Sequence, residues 1–158
     1  MTEATTEMPS GETSSHAAAA SEIVANAVKW SAAAAVVPLP YVDLVSLGAV
    51  QVTMVRDLAK LYGVTARDET IKTAISALLG TLGPAAISGS LLGSSLKLIP
   101  GGGTLLGSAG LAATGSAAAY AIGQVFISHF ENGGSVADLD PEAKADEVKA
   151  NVDRAKKS

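Results

Sequence analysis

The sequence is short of charged and aromatic residues and contains no cysteine. Of its 158 residues, 16% are charged and 4% are aromatic, while 48% are hydrophobic. A soluble domain usually carries about 25% charged residues, so few polar side chains are available to cover an ordinary globular core. The absence of cysteine excludes disulfides and thiolate metal sites. The net charge of −4 argues against a nucleic-acid partner, which requires a basic surface.

Groups that perform chemistry are also scarce. His16 and His129 are far apart in the sequence and form no cluster with the spacing of metal ligands. The glycine-rich stretch 101–110 fails as a phosphate loop, because its lysine precedes the glycines and no strand leads into it. No nucleophile and base, or pair of acid and base, can be proposed from the spacing. The sequence therefore predicts a non-enzymatic protein with no cofactor and no metal.

The middle of the chain is almost free of charge. Between Thr73 and Phe130 the one Lys, Arg, Asp or Glu is Lys97, which separates the runs Thr73–Leu96 and Leu98–Phe130. Each run exceeds the roughly 20 apolar residues that span a hydrocarbon core of about 30 Å. Pro100, Gly101, Gly102 and Gly103 lie between them, and proline followed by glycines favours a reversal of direction. This pattern predicts an antiparallel helical hairpin at about residues 70–130.

Small residues at helical spacing predict how this hairpin packs. Gly89 and Gly93 form one pair four residues apart, and Gly103 and Gly107 form another. Such pairs allow two helix backbones to approach closely inside a membrane. Pro84 interrupts the first run, and Gly, Ser and Thr dilute both runs, so a shallow or re-entrant hairpin and a hairpin buried in protein stay open as alternatives.

Helices are predicted on both sides of the hairpin. Residues 1–18 read as a disordered acidic tail, because their first part is rich in Thr, Ser and Glu and carries no basic residue, which also excludes an export signal. The domain proper is placed at 19–131, with a helix starting at Ser21. Pro38 ends that helix, and the next runs from about Tyr41 to Tyr62.

Further boundaries come from capping residues. Thr65 and Asp68 are candidate caps of the following helix. Residues 132–139 are predicted to be a linker, and residues 140–158 a charged helix with a thin apolar stripe. The alternating charges favour a solvated terminal helix over one that docks.

Asp43 and Gln51 are polar residues on an otherwise apolar stripe of the second helix. Buried polar groups need hydrogen-bond partners, so one hypothesis is that the two residues set helix register or subunit contact. The alternative is that Asp43 only complements the helix dipole and that Gln51 is exposed.

These segments together resemble a bacterial family of unknown function, the YcjF-like domain. The likeness covers about residues 20–131. It is carried by Gln51 and by three segments, 37–43 (VPLPYVD), 58–64 (LAKLYGV) and 97–104 (KLIPGGGT). Members are membrane-associated and are often attached to or encoded near Era-like and dynamin-like GTPases. The resemblance thus implies a membrane-anchoring module with a possible GTPase partner, and it implies no catalytic residue.

The sequence as a whole predicts an all-α helical bundle in the cytoplasmic membrane. Its expected partners are membrane lipid, a second copy of itself and a GTPase, with both tails in the cytoplasm because Arg56, Lys60, Arg67 and Lys72 lie outside the hairpin. The function expected is to anchor or shape a membrane-linked assembly. A homo-oligomer in solution with a buried hairpin, and a pore-forming hairpin, are the two alternatives.

Overall fold

The computed structural model describes residues 10–34, 43–83 and 103–158, and these residues are helical apart from the turns that connect them. Within these ranges no strand is present, which confirms the all-α prediction. The five described helices, numbered here along the chain, are α1 (Ser10–Ala34), α2 (Asp43–Leu61), α3 (Asp68–Thr81), α4 (Gly103–Glu131) and α5 (Ala145–Lys157).

The core is centred on α1, α2 and α4, and α3, α5 and the loop between α4 and α5 also contribute buried residues to it. Val24 of α1, Met54 of α2 and Phe126 of α4 are among its buried apolar residues. Near one end of the three helices, the ring of His16 meets the ring of Tyr62 edge-on, with a centroid distance of 6.1 Å, and Tyr62 in turn contacts Phe130. Since His16 is early in α1 while Tyr62 and Phe130 are at the ends of their helices, α1 runs antiparallel to both α2 and α4.

Glycine ends both α2 and α4 by the same backbone device. Gly63 has a φ of 69° and Gly133 a φ of 80°, a left-handed conformation that glycine adopts without a Cβ clash. After α2, Gly63 N–H donates to the Lys60 carbonyl at 3.1 Å and Val64 N–H donates to the Ala59 carbonyl at 2.7 Å. These two bonds form a Schellman motif. The helix end predicted at Tyr62–Gly63 is therefore confirmed.

The start of α1 differs from the prediction. The helix begins at Ser10, so residues 10–18 are helical where the sequence suggested a disordered tail. Ser21 and Glu22 look like a cap, yet the four alanines before them are strong helix formers and extend the helix backwards. The contact of His16 with Tyr62 and the burial of Ala20 give this extension a place on the core.

The start of α3 also differs. Its N-cap residue is Arg67, which makes no side-chain capping hydrogen bond, so Thr65 and Asp68 are not the caps that the sequence suggested. Asp68 is the first residue of α3, and its carboxylate binds Arg56 of α2 instead. Besides this ion pair, α3 is attached by its buried face, which consists of Ile71, Ala74, Ile75 and Leu78.

The last helix, α5, packs on the bundle. Val148 is fully buried and Asn151 is nearly so, although the charge pattern favoured a solvated helix. Asp140 does act at the predicted start, because its Oδ1 accepts the N–H groups of Glu142 and Ala143 at 3.0 and 3.3 Å. The regular helix begins only at Ala145, one turn later.

The predicted hairpin is described in part. Its first helix is represented by α3, which ends at Thr81, and its second helix by α4, which is continuous from Gly103 to Glu131. Pro84 and the turn residues Pro100, Gly101 and Gly102 lie outside the described residues, whereas Gly103 is the first residue of α4. Among the helices of residues 10–34, 43–83 and 103–158, none combines the length and the apolar character that crossing a membrane requires.

Candidate functional site

The most distinctive site is the seam where α1, α2 and α4 meet. A Cβ placed on Gly123 of α4 would lie 2.6 Å from Val24 Cγ2 of α1 and 3.3 Å from Met54 Sδ of α2. No larger residue fits there without movement of its neighbours. Farther along the seam, Ser116 Oγ of α4 donates to the carbonyl of Val28 at 3.5 Å. The three helices therefore approach one another closely through small residues.

Two polar side chains in these helices are buried with an oxygen atom that lacks a hydrogen-bond partner in the described residues. Ser31 of α1 is 0% exposed and Gln51 of α2 is 6% exposed. Ser31 Oγ and Gln51 Oε1 have no hydrogen-bond partner among the described residues. A buried polar atom without a partner is costly, by roughly 1–3 kcal/mol. The burial of Gln51 is the condition that the register hypothesis required, and it excludes the alternative of an exposed side chain.

The other predicted packing residues are placed as follows. Asp43 is the first residue of α2, and Gly103 and Gly107 lie in the first two turns of α4. Gly89 and Gly93 lie outside the described residues. The close contact falls at Gly123, which belongs to neither of the predicted glycine pairs. The nearest sequence signal for it is the run Ala117–Ala119, which reduces the bulk of the same helix.

An ion pair links α2 to α3 at the surface. Arg56 Nε donates to Asp68 Oδ1 at 3.0 Å, and Arg56 Nη2 donates to Asp68 Oδ2, so the contact is bidentate. The hydrogen bond with Arg56 holds the pKa of Asp68 below its usual value, and the same bond raises the pKa of Arg56. Lys60 forms a second surface pair with Asp57 of its own helix at 3.6 Å.

A second contact joins the ends of α2 and α4. Tyr62 Oη donates to Glu131 Oε1 at 3.2 Å. Burial, together with the neighbouring Glu131 carboxylate, raises the pKa of Tyr62 to about 12. The phenol therefore stays neutral at physiological pH and acts as a hydrogen-bond donor that connects the two helix ends.

The loop after α4 is hydrogen-bonded to the side chain of His129. Its Nε2 lies 2.9 Å from the Ser135 carbonyl oxygen and 2.8 Å from Asp138 Oδ1, and Asp138 Oδ1 also accepts the Ser135 N–H at 2.8 Å. The hydrogen bond with His129, and next that with the Ser135 backbone, lower the pKa of Asp138. This arrangement is a hydrogen-bonded turn. In the described parts of the chain, no group of three His, Cys, Asp or Glu residues could hold a metal ion.

Two shallow cavities flank the seam. One of about 380 Å³ lies between α1 and α2 beside Trp30, whose side chain is 67% exposed. The other, of about 430 Å³, lies between α1, α4 and the end of α5 and is lined by Val28, Ala113, Tyr120 and Lys156 among others.

The fold and this seam define the class as an all-α helix-packing module. The chain belongs to the family described as domain of unknown function DUF697, whose model matches residues 10–157. The family resemblance inferred from the sequence is thus confirmed. Over 137 residues the chain is 31% identical to magnetosome membrane protein 22 of Magnetospirillum gryphiswaldense, an alignment that covers 87% of this chain and 70% of that protein. No solved structure matches the chain.

Proposed function

We propose that this protein is a non-enzymatic, membrane-associated helical module that self-associates and anchors or shapes a membrane-linked assembly. The observation that carries the proposal is the stretch from Thr73 to Phe130, in which Lys97 is the single ionic residue, in a chain related to a magnetosome membrane protein. So long a stretch without charge is costly to expose to water. Lipid contact would shelter it.

The layout of α4 supports the proposal. Its second half, from Ala117 onward, supplies buried core residues to the bundle. Its first ten residues, Gly103–Ala112, contain no charged residue and continue the same helix. At 1.5 Å per residue they add about 15 Å of helix. One helix thus belongs to the bundle at one end and offers an uncharged segment at the other.

Self-association is proposed because the uncharged stretch needs cover wherever lipid does not reach it, and a second copy is one source of that cover. A GTPase partner is supported only by the family resemblance. Because the chain has no phosphate-loop motif, nucleotide hydrolysis would belong to that partner.

The proposed location is the cytoplasmic membrane, with the bundle on the cytoplasmic side. Arg56, Lys60, Arg67 and Lys72 lie before the apolar stretch, and basic residues flanking a membrane segment favour the cytoplasm. The Tyr62–Glu131 contact brings the end of α2 and the end of α4 together. Both flanks of the apolar stretch are therefore expected on the same side.

Membrane fractionation tests the proposal. The full chain should remain in the pellet after alkaline carbonate washing and should leave it in detergent. A homo-oligomer in solution would instead be recovered from the supernatant without detergent, and that result would overturn the proposal. A pore-forming protein would release dye from liposomes, whereas an anchoring module leaves dye-filled vesicles intact.

A further inference from the structure

Four described helices meet at one end of the bundle. Ser116 of α4 contacts the Val28 carbonyl of α1, and Ala155 and Lys156 of α5 line a cavity with the same residues. The last turns of α1 and α5 and the first half of α4 therefore lie together, and the antiparallel packing of α1 on α2 brings the start of α2 to the same level.

Side chains at this end are basic and aromatic. We call Lys29, Trp30, Lys156 and Lys157 the basic end; all four are exposed. Trp30 is the single tryptophan of the chain, and at 67% exposure it is the large apolar side chain most open to water in the described residues. None of the three lysines takes part in an ion pair in the described parts of the chain.

Other charges at this end leave a positive balance. Arg154 adds a further cation on the last turn of α5. The acidic residues of these elements include Asp153 of the same helix, Asp43 as the first residue of α2, and Asp57, which lines the cavity beside Trp30 and pairs with Lys60. Arg154 donates to Asn151 Oδ1 at 3.5 Å and has no carboxylate partner in the described residues.

The opposite end of the bundle carries charges of both signs. Lys60, in the last turn of α2, pairs with Asp57, and Lys144, before α5, pairs with Glu147. Glu131 closes α4, and Asp138, Asp140 and Glu142 follow in the loop before α5. Two of these residues form hydrogen bonds within the bundle: Glu131 accepts one from Tyr62, and Asp138 is hydrogen-bonded to His129. The basic end therefore differs from the opposite end in that its three lysines form no ion pair among the described residues. The uncharged first ten residues of α4 extend past this end, because α5 finishes alongside Ala113 and Ser116.

We propose that the basic end lies against the headgroups of anionic phospholipids, with the first turns of α4 entering the acyl region. This inference rests on the proposed membrane association and adds which face meets the lipid and which headgroup charge it recognises. Lysines near an anionic surface are attracted to it, and tryptophan prefers the interface because its ring is apolar while its N–H is polar. An acidic protein surface on the same lysines is the competing occupant.

Intrinsic fluorescence of Trp30 tests the proposal directly. The full chain is reconstituted into vesicles of phosphatidylcholine alone or of phosphatidylcholine with phosphatidylglycerol, each containing a fraction of lipid brominated on its acyl chains. We expect emission to shift to the blue and to be quenched by the bromine, more strongly in the anionic vesicles. The matched reporter is the double variant Trp30→Phe/Ala137→Trp. Ala137 is exposed in the loop at the opposite end of the bundle, so the emission of a tryptophan there should be unquenched.

Two matched triple variants test whether the lysines of the basic end are responsible for binding to anionic vesicles. Lys29→Gln/Lys156→Gln/Lys157→Gln removes three cations of the basic end, and Arg67→Gln/Lys72→Gln/Lys149→Gln removes three exposed cations elsewhere. The first triple should weaken binding to the anionic vesicles by about fivefold per lysine, which corresponds to about 1 kcal/mol each. The second triple should bind as the wild type does. Circular dichroism of both confirms that the helices are intact.

The outcomes separate this inference from the proposed function. Vesicle association with unquenched Trp30, or with equal quenching of the Ala137→Trp reporter, overturns the orientation and leaves membrane association standing. Equal binding of both triples overturns the headgroup recognition. If the protein associates with neither kind of vesicle, both this inference and the proposed membrane association are wrong. Loss of a protein partner by the first triple, with lipid binding unchanged, assigns the lysines to an acidic protein instead.

Discussion

Gly123 is a helical residue with no room for a side chain. Val24 Cγ2 would lie 2.6 Å from its Cβ, and valine is stiff at χ1 and cannot turn away freely. We expect Gly123→Leu to destabilise the fold by about 1–3 kcal/mol through overpacking, as measured by urea unfolding in detergent or lipid.

The matched control is Gly48→Leu on α2. Gly48 is also helical, and no atom lies within 4 Å of the place its Cβ would take. Replacing glycine by leucine in a helix with free space should stabilise it by up to about 1 kcal/mol. If both variants gain stability, the close approach of α1 and α4 at Gly123 is wrong.

Gln51 gives a second prediction for a single residue. Its Oε1 is buried with no partner among the described residues. Gln51→Leu keeps most of the volume and removes the unsatisfied carbonyl, so we expect a gain of about 1–2 kcal/mol in the free energy of unfolding. Gln51→Ala should lose stability by a comparable amount, because it leaves a cavity.

The same two variants bear on self-association. If Gln51 sets the register of a homo-oligomer, Gln51→Leu should raise stability and at the same time broaden the distribution of oligomer sizes measured by light scattering. A stable protein with an unchanged size distribution would remove Gln51 from the interface. Asp43→Ala is the companion variant, since Asp43 belongs to the same predicted stripe.

At the scale of helices, the attachment of α3 to α2 is expected to depend on pH. The pKa of Asp68 is lowered by its hydrogen bond to Arg56. Its stabilising contribution is therefore complete above the ordinary carboxyl pKa of about 3.9 and is lost as the pH falls through the lower folded-state value. Urea midpoints measured from about pH 6 downward should fall more steeply for the wild type than for Asp68→Asn.

Glu69→Gln is the control for this titration. Glu69 is the neighbouring exposed carboxylate, and its side chain forms no ion pair in the described residues. Its substitution should leave the pH dependence close to that of the wild type. If the urea midpoints of Asp68→Asn and the wild type fall equally as the pH is lowered, the Arg56 contact contributes nothing to the attachment of α3.

Docking of α5 is the second prediction at this scale. Val148 is fully buried against the bundle, while the next residue, Lys149, is exposed. Val148→Ser should release α5 and speed hydrogen exchange of its amides, with a loss of about 1–3 kcal/mol. Lys149→Ser introduces the same side chain on the exposed face and should leave exchange unchanged. Equal protection in both variants would mean that α5 does not depend on this contact.

Local signals predicted some helix boundaries and missed others. Gly63 and Asp140 act through hydrogen bonds to neighbours in the chain, and the sequence was enough to find both. The extension of α1 back to Ser10 combines the helix propensity of Ala17–Ala20 with the distant contact of His16 with Tyr62. The burial of Val148 likewise depends on helices distant in the sequence. Composition and charge patterns carry no information about such contacts, so they favoured a tail and a solvated helix.

The sequence likewise indicated some residues of the site and missed others. Periodicity placed Gln51 on an apolar stripe, which agrees with its burial. It could not identify Gly123 as the close contact, because many glycines are present and only the crossing of α1 and α4 decides which of them faces Val24. The unsatisfied Ser31 was missed for a related reason. A serine in an alanine-rich helix is ordinary until a neighbouring helix covers it.

For the whole molecule, the decisive question is how far the apolar stretch enters the bilayer. From Gly103 to Glu131, α4 has 29 residues, a length of about 43 Å. Its first ten residues extend about 15 Å past the basic end, which is half of a hydrocarbon core of about 30 Å. The tip of α4 is then expected inside the bilayer, while the loop after Glu131 stays in the cytoplasm.

Single cysteines measure this depth, because the chain has none of its own. We expect Ser135→Cys to react with a membrane-impermeant maleimide in inverted inner-membrane vesicles and to be silent in spheroplasts. Gly102→Cys, placed immediately before α4, should stay unlabelled in both until detergent is added, since the thiolate reacts only where water reaches it. Labelling of Gly102→Cys in spheroplasts alone would mean that the chain crosses the bilayer fully. If both cysteines react in inverted vesicles, α4 does not enter the membrane, and the apolar stretch must be covered by protein.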